Sequence, residues 1–415
     1  MRPRLQLLAL VLALVAGSCA TFPSYRYRPQ LNAPEADMLA ALTVAAGNEP
    51  VDGNTVDVLL NGDESFPAML EAIRAAQSSI HFETYIFDDS QIGREFVEAF
   101  AERARAGVKV RLLLDAWGSL SFGVQNAEVL EAAGVRLVFF RPLRLSNLRK
   151  VHLRTHRKVL IVDGKVGFTG GICISDAWTG NATRPDHWRD TMARVRGPVV
   201  RQMQAAFSRA WLEATDEILT SAELYPAANR PGPYTCQLVD SSPGFHGNPA
   251  RMTFLVAVDS AQESISITNA YFVPDHIAEK TLRAAAERKV RVRMLLPSRN
   301  TDATVVRYTS RSYYRKLLEA GVEIYEYLPA RLHAKTMIVD GRWVSIGSSN
   351  LDRRSFAFNA ESNLTVYNTG FASIMQDVFE RDIAVSERIT LEQWKKRPFR
   401  ERFLERFYGL LRSQY

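Results

Sequence analysis

The chain has 415 residues, 47% of them apolar, which is enough for two domains or for one large duplicated domain. Its 52 basic and 45 acidic residues leave a net charge of +7. That excess suits anionic partners such as lipid surfaces, nucleic acid or phosphate esters, although a basic surface with no such role would carry the same charge. With only three cysteines, a disulfide framework is excluded, and we expect no bridge between Cys173 and Cys236.

The first 20 residues have the composition of an export signal. Arg2 and Arg4 precede an apolar run, 5–16, that is short for a membrane span. Small residues then lead to Cys19, a pattern that resembles a bacterial lipobox in which Cys19 would be lipidated. A cleaved signal peptide or a retained anchor would share most of these features. We therefore expect an exported protein of the bacterial cell envelope that is anchored to a membrane.

A repeated order of elements follows a segment, 21–55, that is rich in Pro, Ala and Asn and is expected to be a tether. Strand–helix–strand alternation begins near Val56 and predicts an α/β sheet with helices on its faces. The same order of elements recurs in the second half of the chain, where Tyr85 has its counterpart in Tyr271. This repetition indicates a duplication.

The duplication predicts two similar lobes, 56–225 and 226–390. We expect each lobe to be a mixed β-sheet flanked by helices, and the two lobes to pack around a pseudo-twofold with one shared active site. The C-terminal segment 391–415 mixes basic and aromatic residues. It is predicted to be a basic amphipathic helix that either lies in a membrane interface or packs on the body of the protein.

Each half contains one copy of the pattern His-x-Lys-x₄-Asp. The two copies are His156, Lys158 and Asp163, and His333, Lys335 and Asp340. Each copy predicts a β-hairpin with Asp-Gly at its turn, and alternate residues of a strand share a face, so His and Lys point the same way. A lysine buried without a partner is costly, so the pair suits a site with an anion between the side chains. The lysines would neutralise phosphate oxygens, while a histidine attacks phosphorus or protonates the leaving oxygen.

The carboxylates near the motifs have different interpretations. Asp163 and Asp340 could take part in the chemistry, but the Asp-Gly turn alone explains them. Asp190 and Glu361 each follow a motif and precede a similar strand and helix. We predict that they bind the second ring nitrogen of the histidines, which sets the tautomer and stabilises the imidazolium, although surface carboxylates would fit the pattern too.

These residues resemble the phospholipase D superfamily, whose signature is HxKx₄Dx₆G[GS]xN, and within it the bacterial cardiolipin synthases. The resemblance rests on the two motifs, on 347–355 with 359–361, and on 270–275, and it runs from about Val56 to Ala384. It implies a reaction without a metal or another cofactor. One histidine forms a phosphohistidine, the other protonates the departing alcohol, and a second alcohol or water then attacks. By this resemblance His156 would be the nucleophile and His333 the general acid.

The resemblance also implies a phosphate-binding set. Its members are Lys158, Lys335, Ser348 and Asn350. The first motif departs from the signature, because Cys173 stands where an asparagine is expected. A thiol is a weak donor where an amide gives two N–H groups, so we expect a weaker first half of the phosphate site, or one that tolerates a different substrate.

The function predicted is a membrane-attached phosphatidyltransferase that makes cardiolipin or a related phospholipid from anionic glycerophospholipids. One alternative is a phospholipase D or nuclease that uses water as acceptor, and another is a catalytically silent lipid-binding lipoprotein. The intact His-Lys pairs argue against the silent protein. Nucleic acid is not the favoured partner, because the tandem motifs and the basic, apolar segment 141–154 suit a lipid substrate better. The sequence does not predict the oligomeric state.

Overall fold

The computed structural model describes residues 35–142, 152–227, 229–243 and 248–410. The predicted export signal and Cys19 lie outside the described residues, as does most of the basic segment before the first motif. Within the described part of the chain, no helix combines the length and the apolarity that crossing a membrane would need.

The secondary structure alternates between strands and helices in both halves of the chain. The described helices are α1 (Glu35–Ala46), α2 (Asn61–Ala75), α3 (Gln91–Arg105), α4 (Val124–Ala132), α5 (Val200–Thr215), α6 (Pro249–Ser260), α7 (His276–Glu287), α8 (Thr304–Ala320), α9 (Arg353–Ala357), α10 (Thr369–Ala384), α11 (Leu391–Lys396) and α12 (Phe399–Gly409), with 3₁₀ turns at Asp176–Trp178 and Ala222–Leu224. The described strands are β1 (Val51–Leu60), β2 (Ser79–Thr84), β3 (Lys109–Asp115), β4 (Arg136–Phe140), β5 (Arg154–Thr155), β6 (Val159–Val162), β7 (Val166–Gly170), β8 (Trp188–Arg189), β9 (Thr191–Arg196), β10 (Tyr234–Ser241), β11 (Ser264–Thr268), β12 (Phe272–Val273), β13 (Arg291–Pro297), β14 (Glu323–Tyr327), β15 (Arg331–Leu332), β16 (Thr336–Val339), β17 (Trp343–Gly347), β18 (Leu351–Asp352), β19 (Asn359–Tyr367) and β20 (Ser386–Ile389).

The helices form where apolar residues recur on one face, and they begin at capping side chains. In α3, Phe96, Val97 and Phe100 are buried, and the Ser90 hydroxyl accepts the backbone N–H of Gly93 at the helix start. Strand β3 is apolar on both sides because helices cover both faces of the sheet.

One large mixed sheet runs through both lobes. Its strand order is β20-β14-β13-β11-β16-β17-β19-β10-β1-β9-β7-β6-β2-β3-β4. Outwards from the centre, β1-β9-β7-β6-β2-β3-β4 matches β10-β19-β17-β16-β11-β13-β14 strand for strand. The pseudo-twofold therefore passes between β1 and β10, which pair antiparallel. The predicted fold, two similar α/β lobes in a pseudo-twofold arrangement, is confirmed.

A shared apolar core fixes the lobes relative to each other. It contains Phe207 and Trp211 of α5 together with Phe371 and Phe379 of α10. Two further cores lie mainly within one lobe each. Because α5 belongs to the first lobe and α10 to the second, the core that they share holds the two motifs in one rigid frame.

Residues 35–55 are not the tether that their composition predicted. Met38 and Leu42 of α1 are buried against Phe254 and Leu255 of α6, and β1 already begins at Val51. The helix is apolar around most of its circumference, and the side that carries Met38 and Leu42, four residues apart, is the one buried against its neighbour. The composition of the whole segment, rich in Pro, Ala and Asn, gave no sign of this packed helix.

The described part of the C-terminal segment, 391–410, packs on the body of the protein, one of the two arrangements predicted for the segment. Trp394 of α11 is buried, and Glu405 of α12 forms an ion pair with Arg311 of α8. Both Cys173 and Cys236 are buried free thiols.

Candidate active site

The two motifs form the predicted hairpins, β6–β7 and β16–β17. Asp163 and Asp340 occupy their turns with φ of 53° and 49°, in the left-handed region that aspartate tolerates. The Asp163 carboxylate accepts the backbone N–H groups of Gln77, Ser78 and Ser79 at 2.7–3.0 Å.

The structure does not bring Asp163 and Asp340 into the site, contrary to one of their two predicted roles. Asp340 makes the same three backbone contacts with the start of β11, at 2.8–2.9 Å. Each strand rises about 3.3 Å per residue, so each Asp lies roughly 16 Å from the Lys at the other end of its strand. The two aspartates tie the hairpins to neighbouring strands.

Two short strand pairs cross between the lobes and place the histidines. Strand β5 of the first lobe pairs with the start of β19 in the second, and β15 of the second pairs with β8 in the first. The backbone N–H of His156 donates to the carbonyl of Ala360, and that of His333 donates to the carbonyl of Arg189, both at 2.8 Å. The next residues along the partner strands are Glu361 and Asp190.

Each histidine is therefore paired with the carboxylate of the other lobe. Nδ1 of His156 lies 3.0 and 3.1 Å from the two carboxylate oxygens of Glu361, and Nδ1 of His333 lies 2.6 Å from Asp190 Oδ2. An ionised carboxylate can only accept, so Nδ1 of each ring carries the proton and Nε2 has a free lone pair. Both histidines and both carboxylates are buried.

The electrostatics favour neutral histidines beside ionised carboxylates. Burial lowers the pKa of His156 and of His333 well below the ordinary value, outweighing the carboxylate beside each ring. Burial alone would raise the pKa of Asp190, but His333, Lys335 and the indole of Trp178 bring it down to about 2. The pKa of Glu361 is lowered in the same way, against burial, by His156 and Lys158.

Two buried ammonium groups lie beneath the histidines. Nζ of Lys158 donates to the carbonyl of His156 at 2.6 Å, and Nζ of Lys335 donates to the carbonyl of His333. Burial lowers the pKa of both, that of Lys335 to about 8, while the carboxylates of Asp190 and Glu361 oppose this lowering and favour the ammonium forms. Each lysine interacts with both Asp190 and Glu361, and the four charges cancel.

Ser348 does not face the phosphate position predicted for it. Its hydroxyl donates to Glu361 Oε2 at 2.5 Å and accepts the backbone N–H of Ser362. The hydroxyl is fully buried, and its contacts are with the carboxylate that holds His156. The position of Ser348 in the motif predicted that it binds the phosphate, but its side chain points to Glu361, the carboxylate that binds His156.

The site opens into a cavity of about 290 Å³ between the lobes. His156 and Cys173 line it from the first lobe, and His333 and Asn350 from the second. The structure thus brings both histidines, Asn350 and its counterpart Cys173 to one surface. Burial raises the pKa of Cys173, which keeps it a neutral thiol.

Glycine in the motif allows the carboxylate to approach. A Cβ on Gly171 would lie 2.1 Å from Asp190 Oδ1, well inside contact distance. The Gly-Gly pair after the first motif therefore leaves space for the partner of His333, which is a physical reason for that part of the pattern.

Several residues of the site were not predicted from the sequence. The rings of Trp178 and Trp188 stack on each other, 5.0 Å apart, and both meet the edge of His333. Tyr85 meets His156, with ring centroids 5.1 Å apart. Only the Tyr85–Tyr271 repeat gave a signal for any of them. Among the described residues, no group of His, Cys, Asp and Glu side chains could hold a metal ion.

Comparisons with known proteins agree with this geometry. The family model described as cardiolipin synthase, PLD-like domain matches residues 69–211 and 254–383. A cardiolipin synthase of Geobacillus kaustophilus is 37% identical over 383 residues, which is 91% of this chain and 76% of that protein. One from Halalkalibacterium halodurans is 38% identical over 378 residues, 90% of this chain and 75% of that protein.

A solved structure shows the same fold. The phosphatidylserine synthase of Haemophilus influenzae superposes with a TM-score of 0.70 at 14% identity, over 91% of this chain and 98% of that one. The lobes align as a pair, so the two-lobed arrangement is a property of the fold.

Proposed function

We propose that this chain, which belongs to the family of cardiolipin synthases with phospholipase D-like domains, transfers a phosphatidyl group from one anionic glycerophospholipid to a glycerol hydroxyl of another. Family membership makes it a phosphatidyltransferase of the phospholipase D superfamily. The product would be cardiolipin or a related phospholipid, and the alcohol released from phosphatidylglycerol would be glycerol.

The crossed His–carboxylate pairs are the observation that carries this proposal. They leave two Nε2 lone pairs at one cavity, with two buried ammonium groups beneath them. A phosphodiester between the lobes would meet a nucleophile on one side and a proton donor on the other, as a displacement at phosphorus requires.

Binding of the phosphodiester favours uptake of the proton that the general acid needs. In the empty site Lys158, Lys335, Asp190 and Glu361 sum to zero, so the bound phosphodiester adds one negative charge. That charge favours uptake of one proton by a histidine, which then becomes the general acid. The same phosphodiester would lie near the ammonium groups of both lysines, whose positive charge would stabilise it.

The transfer then takes two balanced steps. Nε2 of His156 attacks phosphorus, the P–N bond forms, the P–O bond to the departing alcohol breaks, and the alcohol oxygen takes the proton of His333. The hydroxyl of a second lipid then attacks phosphorus while His333 accepts its proton. The P–N bond breaks, and His156 is released neutral.

The surroundings of the rings support these roles. Both carboxylates accept further hydrogen bonds, Glu361 from Ser348 and Asn359 and Asp190 from Trp178 and Thr191, but Asp190 makes the shorter bond to its histidine, 2.6 Å against 3.0 Å. The longer contact suits a ring that attacks phosphorus as neutral imidazole. The closer carboxylate suits a ring that must carry a proton.

The remaining site assignments belong to the same proposal. Lys158, Lys335 and Asn350 would hold the phosphate oxygens, with Cys173 in place of a second amide. The protein would act in the bacterial cell envelope, attached to a membrane through its exported N-terminus, with Cys19 as the lipidation site.

The test is purified protein incubated with phosphatidylglycerol vesicles, with the products identified by lipid mass spectrometry. Cardiolipin and glycerol in equal amounts are the expected products. Phosphatidic acid as the main product would show that water is the acceptor and would overturn the transfer proposal. The His333→Ala variant is the matched control, because it keeps the fold of the site but lacks the proton donor.

A further inference from the structure

The helix α12 is amphipathic in the opposite sense to an ordinary surface helix. Its inner side is mainly charged: Glu405 is buried between Arg311 at 3.1 Å and Arg397 at 2.7 Å, and Glu401 pairs with Arg311 at 3.2 Å, while Tyr408 stacks on Tyr308. A surface helix usually buries its apolar stripe and exposes its charges. Here the charged groups attach the helix to the body, which leaves the apolar side outward.

The outward side is a continuous apolar stripe. Phe399, Phe403, Phe407 and Leu410 have exposed fractions of 74%, 57%, 52% and 77%. At about 100° per residue they fall within an arc of roughly 80°. The rings of Phe403 and Phe407 stack, 6.3 Å apart, so the stripe is one contiguous surface rather than scattered side chains.

Basic side chains flank this stripe on both sides. Arg402 and Arg406 are exposed on one side and Arg400 on the other. Within α12 the two acidic residues, Glu401 and Glu405, are turned toward the body and neutralised there. An apolar strip bordered by cations matches a layer of anionic phospholipid, with acyl chains below and phosphates above.

The stripe lies at the same edge of the sheet as the catalytic cavity. Arg299, in the loop that follows β13, pairs with Glu401 of α12 at 2.7 Å, and Asp302 of the same loop lines the cavity. Leu328, directly after β14, is exposed near Glu401. Leu120, in the loop that follows β3 in the first lobe, is exposed at the corresponding edge.

We propose that the apolar stripe of α12 inserts into the surface of an anionic phospholipid layer and holds the catalytic cavity against the lipids it uses. The second clause rests on the function proposed above, but the insertion does not. Insertion would let a lipid enter the cavity directly from the layer, so it would not have to pass through water to reach the histidines.

Insertion is tested by fluorescence of the full chain with vesicles of phosphatidylglycerol that carry brominated acyl chains. The Phe403→Trp variant should show a blue shift and quenching by bromine. The matched control is Ile218→Trp, because Ile218 is at least as exposed as Phe403. It lies away from the cavity edge of the sheet, since the residue before it, Glu217, pairs with Arg136 at the start of β4. The control should show neither effect, and absence of quenching in Phe403→Trp overturns the proposal.

Two further readouts distinguish insertion into lipid from a folding role of α12 and from dimerisation. The Phe403→Ser/Phe407→Ser variant should lose roughly tenfold or more of its rate on vesicles, because two apolar groups no longer enter the layer, and keep its rate within twofold on monomeric short-chain phosphatidylglycerol. Equal loss on both substrates would assign α12 a folding role and overturn docking.

The oligomeric state is the second readout. If the wild type forms a dimer in lipid-free solution and this variant does not, the stripe binds a second copy of the chain, and docking on lipid is overturned. A wild type inactive on both substrates would contradict the proposed function, while the fluorescence result would still decide insertion.

Discussion

The His156 half and the His333 half of the site share a backbone plan but differ in what surrounds the ring. His156 meets Tyr85 and a carboxylate that Ser348 also binds. His333 meets two tryptophans, and one of them, Trp178, donates its indole N–H to Asp190 at 2.9 Å.

The difference extends to the residue between His and Lys in each motif. Arg157 is buried and pairs with Asp240 at 2.7 Å and Glu83 at 3.5 Å, whereas its counterpart is Ala334. Duplication thus preserved the hairpin, the crossed pair and the lysine, and the surroundings diverged. Two identical halves would give no basis for deciding which histidine is the nucleophile and which is the acid, whereas unequal halves do.

Removing either ring should have the largest effect. His156→Ala and His333→Ala are each expected to lower phosphatidyl transfer by roughly 10⁴-fold or more, because attack and protonation are both needed. With a p-nitrophenyl phosphatidyl ester, whose leaving group needs no proton, His333→Ala should still release p-nitrophenol while His156→Ala does not. Stopped-flow absorbance measures this, and release by His156→Ala alone would reverse the two roles.

The carboxylates should come next. Asp190→Asn and Glu361→Gln are each expected to cost roughly 10²- to 10⁴-fold in kcat, because an amide no longer fixes the tautomer or stabilises the imidazolium. In the first turnover, the p-nitrophenyl ester should restore much of the rate of Asp190→Asn, because Asp190 supports the acid His333, and little of the rate of Glu361→Gln. Steady-state kinetics on the natural lipid and stopped-flow release of p-nitrophenol from the ester provide the comparison, and equal rescue would contradict an unequal pair of halves.

Cys173 and Asn350 occupy equivalent positions in the two halves of the site, so each can be replaced by the side chain of the other. Asn350→Cys should raise KM by roughly tenfold, since one amide donor is lost from the His333 half. Cys173→Asn should lower KM by a few-fold, provided that its melting temperature matches the wild type. Vesicle kinetics measure both, and an unchanged KM in Asn350→Cys would remove Asn350 from the phosphate site.

The hairpin aspartates should have the smallest effect on the reaction. Asp163→Ala is expected to cost about 2 kcal/mol of unfolding free energy, because three backbone N–H groups lose their acceptor, with the specific activity of folded protein unchanged. Although burial opposes it, those N–H groups lower the pKa of Asp163 below 3.8. Its contribution to stability is therefore present above pH 3.8 and lost as the pH falls through the lower folded value. Denaturation by urea at pH 7 and pH 3 measures this, and a loss of activity in stable protein would place Asp163 in the chemistry.

The sequence predicted the repeated elements because their signals are local. The hairpin turns, the buried strands and the spacing of His and Lys can each be found within a dozen residues. The two carboxylates were predicted from their matching places after the motifs, but the exchange of partners between lobes was not. That exchange depends on β5 and β15, two-residue strands whose pairing has no pattern in the sequence.

Orientation of single side chains was equally out of reach. Ser348 occupies a position that favours an anion ligand, yet its hydroxyl binds Glu361, because a motif defines spacing and leaves the side-chain torsion open. The tryptophans that contact His333 come from a 3₁₀ turn and a short strand whose proximity is set only by the tertiary fold.

The central claim, one site with His156 as nucleophile, is tested most directly by locating the covalent phosphatidyl group. The His333→Ala variant would be mixed with the p-nitrophenyl ester, quenched in alkali to preserve the P–N bond, digested and analysed by peptide mass spectrometry. The adduct is expected on His156. An adduct on His333 in the His156→Ala variant, with none on His156 in the His333→Ala variant, would contradict the assignment.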